Sequence, residues 1–177
     1  KIRGIFKLVI FFIILFSCFI VVNNIVERKD TYQRMEDFFN QKENFDIVIF
    51  GSSHPMNGIF PMQLWKEQGI ISYSNTSNGE RMATTYYNML LSMKYHKPKM
   101  IILDVFLTSE NLKRTPNNEH FREMMDKYPV SYTKYQAIKD LFDNKDVLNR
   151  EIEYLFGFPI YHNRWNELKE KDFNKLN

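Results

Sequence analysis

The sequence predicts an α/β protein: an N-terminal transmembrane helix, then an incomplete three-layer α/β/α domain with a parallel sheet and a helical C-terminal region. Three observations carry this. Residues 8–22 read LVIFFIILFSCFIVV, without a charge. Between residues 45 and 106, short apolar runs rich in β-branched residues alternate with helical patterns. From Glu119 onward every periodic segment is helical.

The chain of 177 residues suffices for one anchor and one compact domain. A 44% hydrophobic content supports a packed core and excludes a disordered chain. A formal net charge of +3, with no basic stripe interleaved with aromatics, argues against nucleic acid as a partner. The single cysteine, Cys18, excludes an intrachain disulfide and a zinc site on paired cysteines. No histidine and carboxylate pair has metal-ligand spacing, so neither metal nor cofactor is expected.

For the anchor, Ile5, Phe6 and a snorkelling Lys7 bring the apolar run close to the roughly 20 residues that cross a bilayer. Lys1, Arg3 and Lys7 precede the run, whereas Glu27, Arg28, Lys29 and Asp30 cancel one another after it. The excess of positive charge predicts a single-pass cell-membrane protein with its N-terminus cytoplasmic and its main domain extracellular. A cleaved signal peptide needs a shorter apolar core and a small-x-small site, and none follows Ser17. A lipoprotein reading of Leu15-Phe16-Ser17-Cys18 is opposed by the apolar run continuing past the cysteine. Residues 1–25 are thus the expected anchor. Residues 26–44, polar with scattered Tyr32, Met35, Phe38 and Phe39, are the expected helical stalk. Because Lys1 stands where a chain begins with Met, the natural start is expected to be missing or processed.

The domain is expected over 45–177. Phe45–Phe50 (FDIVIF), ended by Gly51, has the form of a buried parallel strand. A loop with Pro55, Asn57 and Gly58 leads to a short helix, with Pro61 near its start and Gly69 past its end. Residues 70–73 form the second strand and 74–79 a turn-rich loop. Residues 80–96 form a helix with Met82, Tyr86, Met89, Leu90 and Met93 on one face, stopped by Pro98. Residues 99–106 (KMIILDVF) form the third strand. Strand, helix, strand, helix, strand with short connections implies a parallel sheet with right-handed crossovers. Helices are expected over 120–127, 132–142, 147–156 and 163–171, broken by Pro129, Asn144, and Gly157 with Pro159. Three strands followed by helices leave the sheet unfinished, so the domain is expected to continue past Asn177.

In an open α/β sheet, chemistry gathers beyond the carboxyl ends of the strands. Gly51-Ser52-Ser53-His54, the 74–79 loop and Leu107-Thr108-Ser109 fall there. Gly51 permits a tight exit from the strand, a following serine presents its hydroxyl, and backbone N–H groups of the turn can hold an oxyanion.

FDIVIFGSSH followed by GIFPMQL resembles the first sequence block of the SGNH/GDSL hydrolase superfamily, whose domain is flavodoxin-like. Gly51 takes that block's glycine, Ser53 the nucleophile, and Ser52 stands in place of the aspartate. YSNTSNGERM, a helix and KPKMIILDV resemble the second block and its following strand, with Gly79 at the oxyanion-hole glycine. The resemblance spans residues 45–106. Within the superfamily the chain is similar to membrane-anchored members, such as the D-alanine transfer proteins of teichoic acid synthesis, that work beside membrane-bound O-acyltransferases. Tyr161-His162-x-Arg164-Trp165 with Asp172-Phe173 looks like segments of polysaccharide-associated relatives. Two departures stand out. Phe106-Leu107-Thr108-Ser109 occupies the place of Gly-x-Asn-Asp, and no Asp-x-x-His supplies the base that a serine needs.

The resemblance implies Ser53 and Gly79 as catalytic residues, the second donating an N–H, with Ser52 the fallback nucleophile. His54 and Asn75 are the expected substrate-binding residues. His54 lines the cleft or holds the loop; Asn75 orients the loop, meets substrate, or caps a turn. Asp104 either bonds the nucleophile loop or marks the strand's end. His96 and His120 read as surface positions and His162 as a packing residue. The expected function is a membrane-anchored extracellular serine esterase or O-acyltransferase that modifies cell-surface polysaccharide or teichoic acid. Its partners would be the lipid bilayer, a membrane-bound O-acyltransferase and the acylated polymer. The rival is a non-catalytic, membrane-tethered scaffold or binding subunit of such an acylation system.

Overall fold

The computed structural model describes residues 2–26, 35, 38–108, 118–141 and 152–173. Its compact units are residues 1–29 with 156–177, and residues 30–155.

In the first unit, helix α1 (Ile2–Val26) is long and apolar enough to cross a membrane by length and composition. Such a helix serves as a single-pass anchor or as a signal sequence. Near its C-terminal end pack α7 (Phe158–Tyr161), a 3-10 helix (His162–Glu167) and α8 (Glu170–Phe173). The helix expected over 163–171 is therefore interrupted: Leu168 is extended, with ψ 135°. Arg164 and Asp172 pair across that break, which a continuous helix would not need.

In the second unit a three-stranded parallel sheet has the order β2-β1-β3. The strands are β1 (Ile47–Gly51), β2 (Ser72–Thr76) and β3 (Met100–Leu103). Val48, Ile49 and Phe50 are fully buried, so both faces of β1 are covered, as expected of a central parallel strand. Between β1 and β2 lie α2 (Ser53–Gly58) and α3 (Pro61–Gln68). Pro61 starts α3, and Gly69 ends it in the left-handed conformation at φ 68°. Next, α4 (Met82–Ser92) connects β2 to β3 and packs on β1, α5 (Asn118–Met125) and α6 (Tyr132–Leu141). Phe38, Val48, Phe50, Leu91, Phe121, Met125, Ile138 and Leu141 form the centre of the core. Of the helix expected over 147–156, residues 152–155 are helical and 147–151 lie outside the described residues, as does most of the expected stalk.

Three expectations are corrected here. β2 spans Ser72–Thr76 rather than 70–73, because β1 supplies ladder partners from Ile47↔Ser72 to Gly51↔Thr76. That pairing holds SYSNT extended despite its mediocre strand propensity. The buried face of α4 is Thr84, Thr85, Asn88, Leu91 and Ser92, whereas Tyr86 and Leu90 of the expected apolar face are exposed. Polar partners on β2 and after α5 bond Asn88 and Ser92 of that stripe, and the Thr85 hydroxyl donates to the Arg81 carbonyl. Finally, β3 ends at Leu103, and Met100, Ile101 and Leu103 are exposed. Among the described residues no strand pairs with its outer edge, which leaves this apolar run uncovered.

Candidate functional site

The chain passes from β1 to β2 on one side, then to β3 on the other. The crevice between the carboxyl ends of β1 and β3 is thus the point where strand order reverses, the favoured ligand position in open α/β sheets. Gly51 closes β1 there at φ 140°, and a Cβ on it would lie 2.3 Å from the Asp104 Cβ. Only glycine lets the two strand ends approach so closely.

Asp104 sits just past β3, where the Asp104 N–H still bonds the Phe50 carbonyl at 3.0 Å. It does both things the sequence left open: it marks the strand's end and it bonds the loop after β1. Its Oδ2 accepts the Ser52 hydroxyl at 2.5 Å and the Ser52 N–H at 3.3 Å, while Oδ1 accepts the Phe106 N–H at 2.9 Å. Partial burial opposes ionisation. The Ser52 hydroxyl, the two N–H groups and nearby His54 outweigh it and hold the carboxyl below its ordinary value.

Ser52 is 2% exposed and caps α2, accepting the His54 N–H at 3.4 Å. Its Oγ also lies 3.1 Å from His54 Nδ1. A hydroxyl has one proton, and the ionised Asp104 takes it. The ring contact therefore requires a proton on Nδ1, which leaves the lone pair on Nε2. His54 is exposed, with its ring 4.1 Å from that of Phe106.

Ser53, the first residue of α2, is half-buried. Its carbonyl accepts Asn57 Nδ2 at 2.8 Å, and among the described residues its hydroxyl has no hydrogen-bond partner. The two serines are thus chemically distinct: one hydroxyl is committed and buried, the other uncommitted. Gly79 is exposed and left-handed at φ 57°, and a Cβ there would lie 2.7 Å from the His120 ring. His120, expected at the surface, is half-buried against this glycine. His96, expected likewise at the surface, is buried, with its Nε2 2.5 Å from the Phe38 carbonyl oxygen between the rings of Phe38 and Phe45. No periodicity rule signals either histidine, because their partners are distant in sequence. His162 is exposed, its Nδ1 3.0 Å from the Pro159 carbonyl oxygen.

Asn75 lies within β2, 1% exposed, rather than in a loop. Its Nδ2 lies within hydrogen-bond distance of Asn88 Oδ1 (3.0 Å), Ser92 Oγ (2.7 Å) and Tyr128 Oη (2.7 Å). Among the described residues its buried Oδ1 has no partner. Met56, Ile59, Phe60, Tyr73, Asn75 and Lys127 are among the residues around a cavity of about 230 Å3. Asn88 also donates to both oxygens of the buried Glu80. Desolvation raises the Glu80 carboxyl to about 7, against the opposing pull of Lys127 and the hydrogen bonds from Asn88, Thr85 and Ser77. Lys127 Nζ, also buried, donates to the Thr76 carbonyl and to Ser77 Oγ. Among the described residues no group of three or more His, Cys, Asp or Glu side chains could hold a metal ion.

No family model matches this chain, and neither a curated protein nor a solved structure matches it significantly.

Proposed function

We propose that the protein is a membrane-anchored, extracellular SGNH-type serine esterase or O-acyltransferase, with a flavodoxin-like domain, acting on cell-surface polysaccharide or teichoic acid. The observation that carries the reading is the uncommitted hydroxyl of Ser53. It stands one residue from a carboxylate–hydroxyl–imidazole chain at the point where strand order reverses. In this scheme Ser53 Oγ attacks the acyl carbonyl, and its proton passes to a base, for which His54 Nε2, reached through one water, is the candidate among the described residues. The backbone N–H groups of Ser53 and Gly79 hold the oxyanion. The acyl C–O bond breaks as the leaving oxygen takes the proton. A water or polymer hydroxyl then attacks the acyl-serine and releases Ser53.

Asp104 and Ser52 act through His54 by fixing its tautomer. Asn75 supports a substrate-binding role, since its unpartnered Oδ1 is an acceptor for a substrate N–H or O–H. The cavity it lines is small beside drug-sized pockets of roughly 300–1,000 Å3. A membrane-bound O-acyltransferase is the partner that would deliver the acyl group.

The test is labelling of the natural chain in its membrane with a fluorophosphonate. Label on Ser53, absent from Ser53→Ala and slowed in His54→Gln, is expected. Label on Ser52 would reassign the nucleophile. A folded protein that takes no label would be a tethered scaffold without this chemistry.

A further inference from the structure

The geometry points to residues 156–173 as a membrane-interface collar: this segment seats against the last turns of α1 and presents aromatic side chains to the headgroup boundary of the bilayer that α1 crosses. The inference rests on the anchor reading of α1, and its occupant is lipid.

Three observations support it. The first concerns coverage. Residues 3–18 of α1 are all exposed, whereas Asn23 and Val26 are buried and Phe19 and Val22 half-buried. Sixteen bare residues at 1.5 Å each reach about 24 Å, short of a hydrocarbon layer of about 30 Å. Arg3 and Lys7 at the opposite end favour the other headgroup layer, so the shortfall must be met at the C-terminal end. About four more residues, from Phe19 to Val22, must then enter the hydrocarbon.

Second, what touches those residues must go with them. The Phe19 ring contacts the rings of Phe156 at 5.2 Å and Phe158 at 5.7 Å, both edge-on. These two rings therefore lie at the hydrocarbon boundary.

Third, the attachment is specific. Asn23 Oδ1 accepts the Phe158 N–H at 2.8 Å, and Arg164 Nη1 donates to the Val26 carbonyl at 2.7 Å. The buried Asp172 in turn meets Arg164 at 3.4 Å and accepts the Lys169 N–H at 2.9 Å. So pinned, the segment leaves Ile160, Trp165 and Phe173 between 37% and 50% exposed. Aromatic side chains at this level are what an interfacial belt provides.

The test uses the natural chain reconstituted in vesicles of phosphatidylcholine with phosphatidylglycerol, with nitroxide labels at single cysteines. A label on native Cys18 reads the anchor. Ile160→Cys or Phe173→Cys, each with Cys18→Ser, reads the collar, and Lys94→Cys with Cys18→Ser gives the aqueous reference. The readout is accessibility to oxygen against a water-soluble nickel chelate. Residues 160 and 173 are expected to show an oxygen-to-nickel ratio several-fold above residue 94 and below Cys18. A ratio equal to that of residue 94 would overturn the collar while a deep Cys18 left the anchor intact. Exclusion of both reagents would overturn it too, showing a protein cover instead of lipid. A water-exposed Cys18 would remove the anchor and the collar with it.

Discussion

The Ser52 hydroxyl donates to Asp104 Oδ2 at 2.5 Å across 52 residues of sequence, closing the ends of β1 and β3 on each other. This bond distinguishes two adjacent serines: the Ser52 hydroxyl is held by Asp104, and among the described residues the Ser53 hydroxyl has no partner. It also fixes the imidazole beside them.

The tautomer of His54 follows directly. With the Ser52 proton held by Asp104, the neutral ring carries its proton on Nδ1. Two-bond 1H–15N correlation spectra should show that form, and Ser52→Ala should shift the population toward the Nε2-protonated tautomer usual for free imidazole. A wild-type ring protonated on Nε2 would remove the relay.

The close approach at Gly51 makes a second prediction. Gly51→Ala combines a backbone region hostile to side chains with a 2.3 Å collision against Asp104. It should destabilise the domain by about 3 kcal/mol or more in denaturant unfolding. Adding Asp104→Gly should recover the steric part and leave the backbone part, a non-additivity that a double-mutant cycle resolves.

The polar interior of α4 is a third target. Asn88 is fully buried and bonds Glu80, Asn75 and Tyr128. Asn88→Ala should cost about 2–4 kcal/mol, because the groups left behind lose partners where water cannot replace them. Leu90→Ala, on the exposed side of the same helix, should cost much less. Equal costs in thermal unfolding would show that the helix faces the core differently.

Glu80 gives a pH dependence. Its folded value of about 7 lies above the ordinary 4.5, so between these two pH values the folded state binds a proton that the unfolded chain has lost. The Glu80 contribution to stability is therefore full below about pH 4.5, declines as pH rises to about 7, and is constant beyond. The decline amounts to about 3 kcal/mol. Glu80→Gln should flatten this limb of the stability profile measured by denaturant unfolding. An unchanged slope would assign the limb to another group.

Much of the architecture was legible in the residues. The charge-free stretch from Leu8 to Val22 marks a helix able to cross a membrane whatever surrounds it, since bilayer thickness sets the required length. FDIVIF ended by Gly51 and the alternation after it were enough for a parallel sheet, because strand and helix periods are local properties. The same locality explains the misreadings. Apolar spacing placed Tyr86 and Leu90 inward, yet α4 buries Asn88 and Ser92, whose partners lie on β2 and after α5. His96 looked like a surface residue until Phe38 and Phe45 enclosed it.

The sequence by itself determined the apolar helix, the order of strands and helices, and the Gly-Ser-Ser-His loop at the end of the first strand. Only the tertiary structure decided that Ser52 is buried against Asp104 while Ser53 is left uncommitted. The reason is physical: periodicity reports which face a residue occupies within its own element. Which hydroxyl finds a proton acceptor depends on what a strand 52 residues later brings alongside it.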